Sequence, residues 1–379
     1  MGPAAGAEGL GEAGWAAARG GGSGAWRTAL ERCALGGLDG GCASVAPPPC
    51  GGEGEAGGLR ARVWPALLGC HAPAAPGPDV AGLREGVRGR MAELGAALGD
   101  GGGEGEGEGG LLEEKARAAQ AAEVFSRAGA GAAEAWATTE RRVEGDVPRT
   151  EPGTAFLDAG GGRQRRRLGR LLRLYALQDP GVGYCQGMAD LLAALLRVWP
   201  EDDVGVFWAF GALVGRLRGQ FSAGAADVVP QLSRAAELAG RRDRALARAL
   251  RSRGALACPF LFQPVLLLLR RELSLPQTLS FWERYFALQS LHPGLDLRAA
   301  LGAALLRHYR DDILALPKNK GRGGSGDDFA DLVQLFNDLP RPVDIDSFSL
   351  DLHEFVADEL AEQGAPKVVD PENTGGKKE

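Results

Sequence analysis

Apolar residues recur along this chain every three or four positions, and nowhere do they alternate steadily with polar ones. That period belongs to helices buried on one side, not to strands. The fullest stripe is Met188, Leu191, Leu192, Leu195, Leu196 and Trp199, stopped by Pro200. Val80, Leu83, Val87, Met91 and Leu94 predict a helix over 80–98. Leu168, Leu171, Leu172 and Tyr175 predict another over 163–178, after a loop at 151–162 and ended by Asp179-Pro180-Gly181. Glu201, Asp202 and Asp203 open a further helix, where acids suit the positive end of the helix dipole. It carries Val206, Phe207, Phe210, Leu213 and Val214, and Phe207 and Trp208 both read as core. One helix is expected from Leu111 into the Val143 stretch, and others at about 228–253, 261–273, 277–290, 296–315, 327–338 and 346–362. Pro276 fits a first helical turn. The pattern therefore predicts an all-α fold of many helices.

Composition interrupts this picture in places. The chain has 379 residues and 59 glycines, well above a usual share of roughly 7%. The glycines cluster, so residues 1–56 and the tail 363–379 read as disordered, and 100–110 and 318–326 as flexible insertions in an ordered domain over 57–362. The net charge of −6 argues against a nucleic-acid partner. The arginines from Arg163 to Arg173 read as a solvated face, or as a border to an acidic partner or membrane surface. Six cysteines without a C-x-x-C pair suit free thiols in a cytoplasmic protein and do not suggest a metal site. No signal-peptide pattern and no apolar run of bilayer length is present, so any membrane association is expected to be peripheral.

The chemistry concentrates in two stretches. Val143, Asp146 and Arg149 follow one another at spacings of three, which brings them to one face of a helical turn, and Pro148 ends the helix beside Arg149. Arg149 then has an acid to orient it and no reason to be buried; a surface salt bridge with Asp146 is the alternative. Gly183-Tyr184-Cys185-Gln186-Gly187-Met188 places an aromatic, a thiol and a glutamine between glycines, which permit an unusual backbone. Thr150 reads as a support for the turn, Tyr184 as packing beneath the glutamine loop, Gly187 as backbone room, and Asp190 as an exposed helix residue. The four histidines form no metal or hydrolase motif, and no phosphate-binding G-x-x-x-x-G-K-[ST] occurs. An arginine and a glutamine without nucleophile or metal suit assistance to another protein's phosphoryl transfer: arginine neutralises developing charge and glutamine orients water.

These stretches resemble the I-x-x-D-x-x-R and Y-x-Q-G-M motifs of the TBC domain, the GTPase-activating domain for Rab small GTPases, with the departure that Val143 stands where isoleucine is usual. Leu59 to Gly69, containing Arg60, Trp64, Leu67 and Leu68, is similar to that family's opening R-x-x-x-W-x-x-L-L-G. The resemblance covers roughly residues 57–362. It implies a two-lobed helical domain, with Arg149 and Gln186 catalytic in trans on a GTP-bound Rab, and Asp146, Arg60, Trp64, Tyr184, Gly187 and Thr150 in support. It implies no cofactor of the chain's own, because the partner carries GTP and Mg2+, and it implies work in vesicle trafficking. The wording around Gly183–Leu196 is most similar to the subgroup acting on late-endosomal or vacuolar Rabs. A helical scaffold that binds a Rab or effector without accelerating hydrolysis is the rival expectation.

Overall fold

The computed structural model describes residues 12–20, 23–36, 59–70, 77–98, 132–221, 227–317, 326–338 and 343–364. Among them every regular element is helical. The helices are α1 (Glu12–Gly20), α2 (Ser23–Gly36), α3 (Leu59–Leu67), α4 (Gly77–Leu98), α5 (Ala132–Asp146), α6 (Ala155–Gln178), α7 (Met188–Val198), α8 (Asp203–Arg216) and α9 (Arg218–Phe221). They continue as α10 (Val228–Arg242), α11 (Arg244–Ser252), α12 (Phe262–Leu266), α13 (Leu275–Leu291), α14 (Leu297–His308), α15 (Arg310–Ala315), α16 (Gly326–Asn337) and α17 (Ile345–Gly364).

Two groups of helices share one continuous apolar core. In the first, α4 to α8 pack on one another; in the second, α10 runs along α14, and α14 along α17. Between them stand α3, which touches α8 on one side and α13 on the other, and α13 itself. Trp64 of α3 is fully buried at this junction, with ring centres 6.1 Å from Trp199 and 6.3 Å from Trp282. The stripe predicted on α7 is realised: Met188, Leu191, Leu192, Leu195 and Leu196 are all inaccessible to solvent. Burying such side chains contributes about 1.5–3 kcal/mol each, which makes α7 a rigid mount for what precedes it. Asp202 caps α8 by accepting the Gly205 N–H at 2.9 Å, and Gln277 accepts the Ser274 N–H at 3.2 Å where Pro276 opens α13.

Several expectations change. The helix expected at 261–273 is only Phe262–Leu266, and those expected at 228–253 and 296–315 are broken at Asp243 and at Tyr309. The stretch 1–56 was expected to be disordered, yet 12–20 and 23–36 are helices: Trp15 and Trp26 meet edge to face, and Leu30 and Cys33 are buried where α2 lies along α13. Alanine and aromatic content overrides the neighbouring glycines once α13 offers a surface to cover. The expected loop at 151–162 is shorter, because α6 begins at Ala155; within α6, left-handed backbone falls at Gly160, Gly161 and Gly162, with φ between +61° and +74°. Trp208, expected in the core, is only half-buried, while Phe207 is buried. The basic region is mostly paired internally: Arg163 with Glu201 at 2.8 Å, Arg167 with Asp203 at 2.5 Å, and Arg173 with Glu140 at 2.8 Å. Helix α5 begins at Ala132; the expected helix before it and the insertion at 100–110 lie outside the described residues, as do the insertion at 318–326 and the tail at 363–379 except for Gly326, which opens α16, and residues 363–364, which end α17. No helix among the described residues is long and apolar enough to cross a membrane.

Candidate functional site

Helix α5 runs out at Asp146 because Pro148 cannot continue its hydrogen bonding, and Val147–Arg149 tightens into a 3-10 turn. Val143 is buried beneath this turn, and Arg149 projects from its end with 70% of its side chain exposed. Thr150 is buried and donates its hydroxyl to the Asp146 carbonyl at 2.9 Å, closing the turn. The sequence reading of Thr150 as a support takes this form.

Asp146 is the joint of the site. One carboxylate oxygen accepts from Arg149 Nη2 at 2.6 Å; the other accepts from the Tyr184 hydroxyl at 2.7 Å. The Asp146 side chain keeps 12% of its exposure, so its charge is held in place while that of Arg149 faces solvent. An exposed ion pair between neighbours contributes little by itself; here the acid is anchored from a second element. Tyr184 is buried, and its hydroxyl pKa is raised, first by loss of water and then by the hydrogen bond to Asp146. It stays a neutral donor.

Two residues beyond Tyr184, Gln186 is exposed at the mouth of α7. Gly187 follows with φ +97° and caps the helix; a Cβ there would lie 2.6 Å from Leu267 Cδ2. Only glycine satisfies both the backbone and the contact. Cys185 donates its thiol to the Phe221 carbonyl at 3.3 Å, and burial pushes its pKa up against the opposing charge of Arg142. A thiol held protonated in this way is not a nucleophile. Arg149 and Gln186, far apart in sequence, are therefore two exposed side chains joined through Asp146 and Tyr184.

Arg60 and Trp64 sit elsewhere. Both reach the buried Glu283 of α13: Arg60 Nε at 2.5 Å and Trp64 Nε1 at 3.2 Å from the same oxygen. Through Glu283 both tie α3 to α13 at the junction between the helix groups. Asp190, expected to be exposed, is largely buried and pairs with Arg271 at 2.7 Å.

Sequence reasoning missed the groups around Arg165 and Glu151 that shape the turn. Arg165 of α6 donates Nη1 to the carbonyls of Val147 at 2.7 Å and Thr150 at 2.9 Å, donates Nη2 to that of Glu151 at 3.3 Å, and pairs with Asp158. Glu151, with φ +42°, pairs with both Arg197 and Arg270. No spacing rule links these positions; the only signal is a surplus of arginine beside a turn whose carbonyls have no helical partner.

Comparison with known proteins finds relatives of this chain. The family model described as the Rab-GTPase-TBC domain covers residues 58–314. Rab GTPase-activating protein 22 of Arabidopsis thaliana is 38% identical over 154 residues, 39% of this chain and 27% of that protein. TBC1 domain family member 17 of Homo sapiens is 29% identical over 172 residues, 45% of this chain and 26% of that protein. The matched region thus spans about a quarter of these curated relatives. The crystal structure of the Ypt/Rab-GAP domain of Gyp1p aligns with a TM-score of 0.56 at 17% identity, over 80% of this chain and 88% of that one, a likeness of fold. With the match running from before the Trp64 junction, through the arginine turn and the glutamine loop, to Leu314, the chain belongs to the Rab-GTPase-TBC domain family.

Proposed function

We propose that this protein is a GTPase-activating protein for a Rab small GTPase, and that it supplies Arg149 and Gln186 in trans to a GTP-bound partner. The observation that carries this reading is the Asp146 carboxylate, which accepts from the Arg149 guanidinium at Nη2 with one oxygen and from the hydroxyl of Tyr184, two residues before Gln186, with the other. The exposed Arg149 guanidinium is thereby oriented by the same carboxylate that anchors Tyr184 in the loop carrying the exposed Gln186. A planar guanidinium spreads its charge over transferring phosphate oxygens, and a carboxamide positions the attacking water. Neither group needs a nucleophile, and the nucleotide and its Mg2+ come with the partner. The site would be completed at a Rab-bearing membrane, where the protein is brought by its partner.

Single-turnover GTP hydrolysis by a panel of purified Rabs, including late-endosomal ones, tests the reading. Wild-type protein should accelerate at least one Rab. Arg149→Ala and Arg149→Lys should each remove most of that acceleration, on the order of 10³-fold or more, since lysine lacks the fork. Binding of a GTP-loaded Rab without acceleration would favour the scaffold instead. For Gln186, a Rab whose own catalytic glutamine is replaced by leucine should still respond to wild-type protein and respond little to Gln186→Ala.

A further inference from the structure

Five consecutive residues between α12 and α13 touch both exposed loops. Leu267 packs its side chain against Gly187 at the close range that excludes a Cβ. Arg270 pairs with Glu151, two residues past Arg149. Arg271 pairs with Asp190 in the first turn of α7 at 2.7 Å. Between these contacts the Leu268 carbonyl accepts the Trp282 indole N–H at 2.9 Å, which roots the segment on α13.

The backbone is unusual where it must change direction. Leu268 and Leu269 take φ +48° and +59°, and Glu151, the residue gripped from the other side, takes φ +42°. A left-handed residue with a Cβ costs roughly 1–2 kcal/mol, and persists where the surroundings over-determine it. Leu268 and Leu269 are both buried, and neither reaches the site. Their conformation turns the chain so that Leu267 meets one loop and Arg270 the other.

The charges follow the same logic. Glu151 and Arg270 keep only 15% and 9% of their side-chain exposure, and Arg197 shares the carboxylate. A buried ion triad is a poor way to gain stability, because apolar residues of similar volume do as well or better. It does fix a direction, through charge-assisted hydrogen bonds that apolar packing does not make.

We infer that Leu267–Arg271 is a strap that sets the arginine turn and the glutamine loop in register, with Glu151 and Arg270 as positioning residues for the hydrolysis proposed above. The inference rests on that reading, in which two side chains from separate loops must meet one phosphate. A misplacement of about 1 Å in such a geometry costs on the order of 10²-fold in rate.

The test compares wild type, Arg270→Met, Arg270→Lys and Glu151→Gln, the last keeping size and an acceptor should Arg270→Met fold poorly. In Rab-stimulated hydrolysis, Arg270→Met and Glu151→Gln should lower kcat about 10- to 100-fold with KM within about threefold, and Arg270→Lys should recover part of the loss. A second readout needs no Rab. Amide exchange should quicken at least about tenfold in Arg270→Met and Glu151→Gln at Thr150, bonded to Asp146, and at Leu191, bonded to Gly187, while α14 stays as protected as in wild type. Wild-type protein inactive on every Rab would sink the activator reading, and the exchange data would still decide the strap. An active protein whose variants keep kcat within twofold, or exchange that changes at one loop alone, overturns the strap.

Discussion

Asp146 bears on both exposed groups, so its removal separates positioning from binding. Asp146→Ala should reduce stimulated turnover at least tenfold and leave Rab affinity nearly unchanged, because lost orientation is felt mainly in the transition state. Equal weakening of Kd and turnover would make the Asp146–Arg149 pair a docking contact instead. Gly187→Ala forces a Cβ into left-handed backbone and against Leu267; a fall of about 2 kcal/mol in unfolding free energy is expected, read from denaturant midpoints. Glu272, the residue after Arg271, is buried with one carboxylate oxygen unpartnered, and loss of water pushes its carboxyl up to about 7, against the pull of Arg271 and with the push of Asp190. In the unfolded chain it ionises near 4.3. The fold therefore prefers the proton: its stabilising effect is whole below about pH 4 and is lost as pH rises towards 7, in total about 4 kcal/mol. Melting curves from pH 5 to 8 should show this slope in wild type and not in Glu272→Gln, which should be the more stable at pH 8. The sequence made Arg149, Gln186 and Gly187 legible because spacing and glycine content are local properties. Asp190 and Arg165 were misread because their partners, Arg271 and the turn carbonyls, are distant in sequence.

At the level of elements, the helices announced by long apolar stripes are present, and α7 carries its stripe residue for residue. Errors gathered where glycine governs and where a helix breaks without one, after Leu266 and at Asp243 and Tyr309. The Gly160–Gly162 run was read as the end of a loop, but it lies inside α6, whose first turn stacks before the glycines reverse the backbone. That early start brings Asp158 within reach of Arg165 and helps to aim it at the 3-10 turn. Charge counting on one helix face cannot show which arginines find acceptors. Arg165→Met should leave the Thr150 carbonyl without its donor and remove one donor each from Val147 and Glu151, at a cost of about 2 kcal/mol, and lower stimulated hydrolysis about tenfold. Arg165→Lys should recover little, since an ammonium cannot reproduce a fork that spans Val147, Thr150 and Glu151. Guanidinium denaturation and hydrolysis rates on the same preparations separate the two effects.

For the whole molecule, the family match ends at residues 58 and 314, but the core does not. Helix α2 lies along α13, and the Cys33 thiol donates to the Glu283 carbonyl at 3.6 Å, on the very residue that receives Arg60 and Trp64. Removing residues 1–37 should therefore uncover α13 and lower Tm by several degrees or more, although the matched domain remains; an unchanged Tm by calorimetry would show that α1 and α2 are only draped over the surface. Helix α17 is tied to α10 by Arg242 with Asp358 at 2.6 Å and by Arg234 with Glu359 at 2.7 Å. The crossing of Trp64, Trp199 and Trp282 has an optical consequence. Indoles about 6 Å apart, contributed by α3, the end of α7 and α13, exchange excitation and couple their transitions. Any tilt of one helix group against the other alters that coupling, so the protein's own near-ultraviolet dichroism and fluorescence anisotropy report on its internal alignment without a label.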